Sequence, residues 1–171
     1  MLFRSFETLF RAFGPSIAGY LRARNVGDPD GLANDVFLRA FRTIHTFQGD
    51  GARFRSWLFT IARNTAIDDS RRRRRRVAET PLEYAADSAG GDVEADAMAR
   101  LARARVDALL AGLSPDQREV IVLRIVADLS VEETAAVAGK SYEAVKALQR
   151  RGLASLRRAL TEDSSQEAVP G

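Results

Sequence analysis

The sequence predicts an all-α protein of two small helical domains joined by a flexible acidic linker. Apolar residues recur at helical spacing on both sides of the linker, and no stretch alternates as a strand would. Residues 77–99 hold six acids, no base, one proline and a Gly-Gly pair, which is typical of a flexible connector. We therefore expect domains over residues 1–76 and 100–160, the linker over 77–99, and a disordered polar tail over 161–171.

The first domain contains three predicted helices. Apolar positions run from Phe6 to Leu21 in the first helix and, after the turn NVGDPDG, from Leu32 to Ile44 in the second. A glycine-containing loop over residues 47–52 leads into the third helix. The only tryptophan, Trp57, lies on the apolar face of that helix, so we expect it in the core rather than on nucleic acid.

The third helix ends in six consecutive arginines, residues 71–76. Between residues 53 and 76, nine arginines and two aspartates give a local charge of +7. Such a concentration of positive charge favours binding of a polyanion such as nucleic acid. Consecutive residues point in different directions around a helix, so we expect only two or three of these arginines to face DNA.

The second domain is marked by helix caps. A helix with apolar positions from Leu101 to Leu113 is followed by two capping boxes, in which Ser114 pairs with Gln117 and Ser130 pairs with Glu133. The helix opened by Ser130 ends at Gly139, and Ser141 caps a longer basic helix. A short helix, a tight turn and a longer basic helix predict a helix-turn-helix.

Composition restricts the class of protein further. The absence of cysteine excludes disulfides and thiolate zinc sites, and a lone histidine, His45, cannot anchor a metal cluster. The apolar runs are far shorter than the ~20 residues that cross a bilayer, and the N-terminus lacks a signal-peptide pattern. We expect a cytoplasmic protein with no membrane insertion, metal or cofactor. Arginine supplies 24 of the 26 basic residues, which suits phosphate binding, although a GC-rich genome would give the same bias.

Three passages carry a likeness to a known family: LANDVFLRAF over 32–41, FRSWLFTIARNTAID over 54–68, and the stretch over 113–160 that contains the helix-turn-helix. Together they resemble bacterial RNA polymerase sigma factors of the extracytoplasmic-function (ECF) group of the sigma-70 family. They occur in the family's order on either side of a variable linker, and the likeness covers roughly residues 3–160.

The resemblance implies a non-enzymatic factor that gives core RNA polymerase promoter recognition and strand opening. The first domain would bind the −10 element and the clamp helices of the β′ subunit, and the second domain the −35 element and the flap of the β subunit. A cognate anti-sigma factor is also implied. The linker would pass near the polymerase active site, and its charge of −6 suggests the hypothesis that it repels DNA in the free protein.

The resemblance also assigns candidate −10 residues. Phe47 falls in the loop that receives a base flipped from the non-template strand, and Asn64 falls at the position that reads such a base. Asn64 could instead be an ordinary surface residue, but asparagine is mildly unfavourable within a helix, which favours the functional interpretation. Arg63 and the arginine run, Arg71 and Arg72 included, would neutralise backbone phosphates.

The helix over 32–41 is the implied polymerase-clamp surface. Its exposed candidates are Asn34, Asp35, Leu38, Arg39 and Arg42, and Val36, Phe37 and Phe41 are expected to be buried. Family members usually carry Asp, Gln and Glu at the positions of Gly31, Asn34 and Asp35. The shorter side chains keep the chemistry with less reach.

In the last helix, the resemblance assigns four residues to the −35 major groove: Lys146, Ala147, Arg150 and Arg151. Ala147-Leu148 replaces the family's usual Ser-Arg, which puts the usual −35 sequence preference in question. Arg157 and Arg158, close to the helix C-terminus, could simply face solvent there and suit the helix dipole.

Two other classes of protein share some of these features. A stand-alone DNA-binding regulator would use only the helix-turn-helix, usually as a dimer, and would leave the loop over 47–52 and Asn64 without a role. A nuclease would rest on Asp35, Asp68 and Asp69. Adjacent helical residues diverge by ~100° in direction, so Asp68 and Asp69 are poorly placed to share a metal.

Overall fold

The computed structural model describes residues 2–79 and 93–167. Every regular element over these residues is a helix, and none is a strand. This confirms the all-α prediction. The seven α-helices are α1 (Leu2–Ala23), α2 (Pro29–Thr43), α3 (Gly51–Glu79), α4 (Val93–Ala111), α5 (Pro115–Ile125), α6 (Val131–Ala138) and α7 (Tyr142–Glu167), and a short 3₁₀ helix (Ile44–Thr46) follows α2. No helix within these ranges is long and apolar enough to cross a membrane.

The first three helices pack around a shared apolar centre. The N-terminus of α2 is fixed by Asp28, whose carboxylate accepts a hydrogen bond from the Gly31 amide at 2.9 Å, with Pro29 in the first turn. The helices bury their apolar faces against one another; the fully buried side chains include Ile17, Tyr20, Leu21, Val36, Leu58 and Phe59. This burial holds the loop after α2 beside the start of α3.

The last three helices form the predicted helix-turn-helix on a supporting helix. Both capping boxes are present, at Ser114 and at Ser130, and α6 ends at Gly139 in the left-handed conformation with φ 65°. α7 packs on α5 and α6. At Gly152 a β-carbon would lie 2.9 Å from Cγ1 of Ile121, so only glycine allows α7 to approach α5 so closely.

The two helical units share one core. α6 packs on α3 and α5 touches α1. Apolar residues of α5, α6 and the turn between them belong to the same buried cluster as Leu58 and Phe59; they are Val122, Leu123, Ala127, Leu129, Val137 and Ala138. At one point of this interface a β-carbon on Gly19 would lie 3.2 Å from Cγ1 of Val126. This part of the interface is therefore apolar and closely packed.

The helices extend beyond the boundaries predicted for the linker and the tail. Residues 77–79 belong to α3 and residues 93–99 to α4, so the predicted linker over 77–99 is too long at both ends. Alanine, glutamate and methionine around residue 95 favour helix over coil. α7 reaches Glu167, where a disordered tail was predicted from 161, and an Arg105–Asp163 ion pair at 2.6 Å ties this extension to α4. Residues 80–92 and 168–171 lie outside the described residues.

Candidate nucleic-acid and protein-binding surfaces

α7 presents a basic surface away from the core. Lys146, Arg150 and Arg151 are exposed and Ala147 is half-buried, while Val145 on the opposite side is fully buried. Lys146 and Arg150 are one turn apart and therefore project side by side. The Lys146 ammonium lies 5.4 Å from the centre of the Tyr142 ring. The residues predicted to enter the −35 major groove thus share one accessible side of α7.

A local cap and a hydrogen bond from α5 hold α7 in place. The Ser141 hydroxyl accepts the Ala144 amide at 3.2 Å and caps the helix as predicted. Arg124 on α5 donates to the Gln149 side chain at 3.1 Å and also to the Leu129 carbonyl. Arg124 thereby links α5 both to α7 and to the turn before α6.

The first residue of the loop before α3 packs in an aromatic cluster with the first turns of α3. The Phe47 ring is half-buried, with its centre 5.4 Å from that of Phe54 and 5.3 Å from that of Trp57. Trp57 is half-buried and packs on the core, in line with the predicted core position. Asn64 is exposed two turns further along α3, about 10 Å from residue 57 along the axis. Phe47 and Asn64 therefore mark two points along one side of α3.

The arginine run is not uniform. Arg71 and Arg72 are exposed, as are residues 74–76. Arg73 turns back onto the protein: its Nε lies 2.9 Å from Asp69 Oδ2, and its guanidinium donates to the Asn25 carbonyl at 2.6 Å. Arg73 therefore fastens α3 to the end of α1, a role that the sequence analysis did not identify.

Arg63 faces the second helical unit. Its Nε donates to Glu119 Oε1 at 2.7 Å, and the same oxygen lies 3.6 Å from an Arg24 nitrogen. Glu119 is only 4% exposed. Sequence reasoning missed both Glu119 and Arg24. The available signal was the spacing of Glu119 from Val122 and Leu123, which places an acid on the apolar face of α5.

A second polar contact joins the two units nearer the surface. Arg55 on α3 donates to the Asp128 carboxylate at 3.1 Å and to its backbone carbonyl at 3.4 Å. Asp128 has φ 52°, a left-handed conformation that aspartate and asparagine tolerate better than most residues. Its side chain is 88% exposed, so this ion pair is well solvated.

Tyr20 lies beside the Glu119 contact in the interior. Burial raises the pKa of its hydroxyl well above the usual range, and the positive charge of Arg24 opposes that shift. Within the described residues the hydroxyl has no hydrogen-bond partner. Tyr20 therefore stays neutral and acts here as an apolar ring, stacked edge-on against Phe59.

The five residues predicted for protein binding lie together on the exposed side of α2. All five predicted residues are exposed: Asn34, Asp35, Leu38, Arg39 and Arg42. Phe41 is 44% exposed, so the prediction that it is buried was wrong. Phe37 and Ala40 take the inward positions of this turn, and Phe41 is left at the edge of the apolar face beside Leu38.

The three aspartates considered for metal catalysis are engaged elsewhere or lie apart. Asp68 Oδ2 is 3.5 Å from an Arg39 nitrogen, and Asp69 pairs with Arg73 and accepts the Gly27 amide. Asp35 lies on the exposed side of α2. Among the described residues, no three His, Asp or Glu side chains form a group that could hold a metal ion.

Comparison with known proteins gives two family matches in the order of the two helical units. Residues 9–76 match Sigma-70 region 2, and residues 109–158 match Sigma-70, region 4. The first match ends with the arginine run and contains the aromatic cluster, Asn64 and the exposed side of α2. The second contains α5, α6 and the basic side of α7.

Individual relatives are similar over most of this chain. The chain is 34% identical over 163 residues to the ECF RNA polymerase sigma factor BldN of Streptomyces coelicolor, which covers 94% of this chain and 62% of BldN. It is 36% identical to the RNA polymerase sigma factor CarQ of Myxococcus xanthus over 160 residues, covering 92% of this chain and 90% of CarQ.

A solved structure shows the same fold. CnrH, an RNA polymerase sigma factor of Cupriavidus metallidurans, is 37% identical to this chain over 171 residues, covering 90% of this chain and 89% of CnrH. The structure of CnrH in complex with the cytosolic domain of CnrY superposes on this chain with a TM-score of 0.70, covering 94% of this chain and 90% of the CnrH chain.

Proposed function

This chain belongs to the ECF group of the sigma-70 family, and from that premise we propose which of its surfaces meet promoter DNA and RNA polymerase. As a sigma factor it recognises promoters and directs transcription initiation. The proposed division assigns the −10 element and the polymerase clamp to residues 1–76 and the −35 element and the β flap to residues 100–160.

The basic side of α7 carries the proposal for the −35 element. Lys146 and Arg150 are exposed, one turn apart, on a helix whose other side is held by α5 and α6. A helix presented in this way fits the major groove, where Lys and Arg read guanine. Ala147 and Arg151 lie on the adjoining strip of the helix and complete the proposed contact.

The −10 contact uses the loop before α3 and the exposed side of α3. Phe47, supported from beneath by Phe54 and Trp57, offers a stacking surface for a flipped base. Asn64 offers one hydrogen-bond acceptor and one donor group to a base edge. Arg71 and Arg72 are exposed and would neutralise phosphates, and Arg63 would join them once released from Glu119.

The exposed side of α2 is proposed to bind the polymerase clamp. Leu38 is half-exposed in the middle of it, flanked by Asn34, Asp35, Arg39 and Arg42. An apolar centre with a charged rim is the common composition of a protein-binding surface. We further propose that the factor has no enzymatic activity, acts in the cytoplasm, and is regulated by an anti-sigma partner, as the complex of CnrH with CnrY suggests.

Transcription in vitro tests the assignment directly. Core polymerase, the purified chain and a pool of promoter sequences should give transcripts from a restricted set of promoters. Asn64→Ala should reduce strand opening, which is measured by the permanganate reactivity of the −10 region. Binding of the −35 element should be retained. Arg150→Ala should weaken −35 binding, with Arg157→Ala as the matched control on the same helix. No promoter-specific initiation by the wild-type chain would overturn the proposal.

A further inference from the structure

We propose that Glu119 is a latch that holds the free sigma factor in a closed form by occupying Arg63, a residue proposed above to contact promoter phosphates. The inference rests on that proposed function. In the closed form the second helical unit lies on the first, and one carboxylate takes the place of the DNA backbone.

The geometry of Glu119 supports a specific role. It is 4% exposed at the contact between the units, and its Oε1 accepts from Arg63 at 2.7 Å with Arg24 at 3.6 Å. A carboxylate buried so deeply requires positive partners, and both arginines belong to the first helical unit while Glu119 belongs to the second. In the closed form the charge of Glu119 is therefore compensated by residues of the other unit.

The closed form conflicts with simultaneous promoter contact. The −10 and −35 elements are ~25 base pairs apart, which is roughly 85 Å of duplex at ~3.4 Å per base pair. In the structure α6 of the helix-turn-helix packs directly on α3, which carries Asn64 and Arg63. The two units must therefore separate before both elements can be bound.

Arg63 can serve both states because a guanidinium binds carboxylate and phosphate by the same geometry. Opening frees Arg63 for DNA and exposes Glu119 to water. DNA phosphates and Glu119 thus compete for the guanidinium of Arg63. The apolar contact between the units around Leu129 and Val137 favours return to the closed form. The Arg55–Asp128 pair joins the same two units but is solvated, so it provides a matched comparison.

The first experiment measures the affinity of the free full-length chain for a single-stranded −10 oligonucleotide. Glu119→Gln keeps the shape and removes the charge, and we expect binding about fivefold tighter than wild type, in the range of typical couplings between sites. Asp128→Asn keeps the tolerated left-handed backbone and should change the affinity by less than about twofold. Unchanged affinity in Glu119→Gln, with a thermal midpoint showing that it is folded, would overturn the latch.

The second experiment locks the closed form with a disulfide. A β-carbon at Gly19 would lie 3.2 Å from Cγ1 of Val126, so the two β-carbons are at most about 4.7 Å apart, close to the upper end of the ~3.5–4.5 Å Cβ separation of disulfides. The chain has no cysteine, so Gly19→Cys with Val126→Cys introduces the only two thiols. The oxidised protein should fail to initiate with core polymerase, and reductant should restore transcription; each single variant serves as a control.

The outcomes separate the latch from the proposed function. If the wild type and the oxidised double variant both initiate at the same promoters, the latch is wrong and the proposed function stands. If the wild type itself gives no promoter-specific transcript, the proposed function fails, and the latch fails with it. Initiation by the wild type and the reduced double variant but not by the oxidised one supports the proposed function and an inactive closed form, and the affinity of Glu119→Gln then decides whether Glu119 holds that form.

Discussion

At the scale of single residues, the arginine run shows that identical neighbours have different roles. Arg73 contacts Asp69 and the Asn25 carbonyl, whereas Arg74 is exposed. The difference arises from the helical turn, because Arg73 lies one turn after Asp69 and faces the end of α1. Only the exposed members of the run are available for DNA.

We predict that Arg73→Ala lowers the free energy of unfolding by about 1 kcal/mol, because a charged hydrogen bond and a partly solvated ion pair are lost. Arg74→Ala should change it by less than about 0.5 kcal/mol. Urea denaturation followed by circular dichroism gives both values. Equal effects of the two substitutions would show that Arg73 has no structural role.

Gly31 explains one departure from the family pattern. A β-carbon there would lie 2.1 Å from Asp28 Oδ2, the carboxylate that caps α2. The cap and the usual aspartate at position 31 therefore exclude each other unless Asp28 moves. Sequence alone shows the substitution, but its cause lies in the contact between two side-chain positions three residues apart.

At the scale of helices, Gly152 controls the fit between α5 and α7. We predict that Gly152→Ala destabilises the protein by about 1 kcal/mol, because overpacking of about 1–3 kcal/mol exceeds the helix-propensity gain of up to about 1 kcal/mol. Gly51→Ala is the matched control, since its β-carbon meets open space, and it should be neutral or slightly stabilising. Thermal unfolding measures both.

Adding Ile121→Ala to Gly152→Ala should cost less than the sum of the two single substitutions. Alanine at position 121 lacks both Cγ1 and Cδ1, which lie 2.9 and 3.3 Å from the β-carbon of residue 152. If Gly152→Ala were as stable as wild type, or if the two substitutions were strictly additive, the close approach of the two helices would not be the cause.

Helix starts and stops were largely predictable because their causes are local. The capping boxes at Ser114 and Ser130 and the left-handed Gly139 were predicted from neighbours within four residues, and all are present. The exposure of Phe41 was not predictable, because its helical spacing fits either the buried or the exposed side of the apolar boundary. Only the packing of α2 against α3 determines on which side it lies. The C-terminal end of α7 was missed for a similar reason, because the Arg105–Asp163 pair that ties it to α4 joins residues remote in sequence.

At the scale of the whole molecule, the two units form one body. Their contact joins residues 56 positions apart, Arg63 and Glu119, and no local pattern in the sequence encodes such a pairing. The candidate −35 and polymerase surfaces were predictable as faces of single helices. The packing of the second unit over Arg63 was not predictable, because it depends on how α6 fits on α3.

We predict a compact particle in solution. A single body of this length has a radius of gyration of about 16 Å, and separated units would exceed about 20 Å. Small-angle X-ray scattering of the free chain measures this quantity, and Glu119→Gln should shift it upward. A wild-type value typical of separated units would contradict the shared core.

The position of Trp57 provides an intrinsic fluorescence reporter next to the proposed base-binding loop. It is the only indole in the chain, and its ring centre lies 5.3 Å from that of Phe47, the proposed stacking platform. Any displacement of Phe47 by an incoming base changes the surroundings of this one fluorophore. Base capture in the first helical unit can therefore be followed in real time by intrinsic emission, with no dye and no change to the sequence.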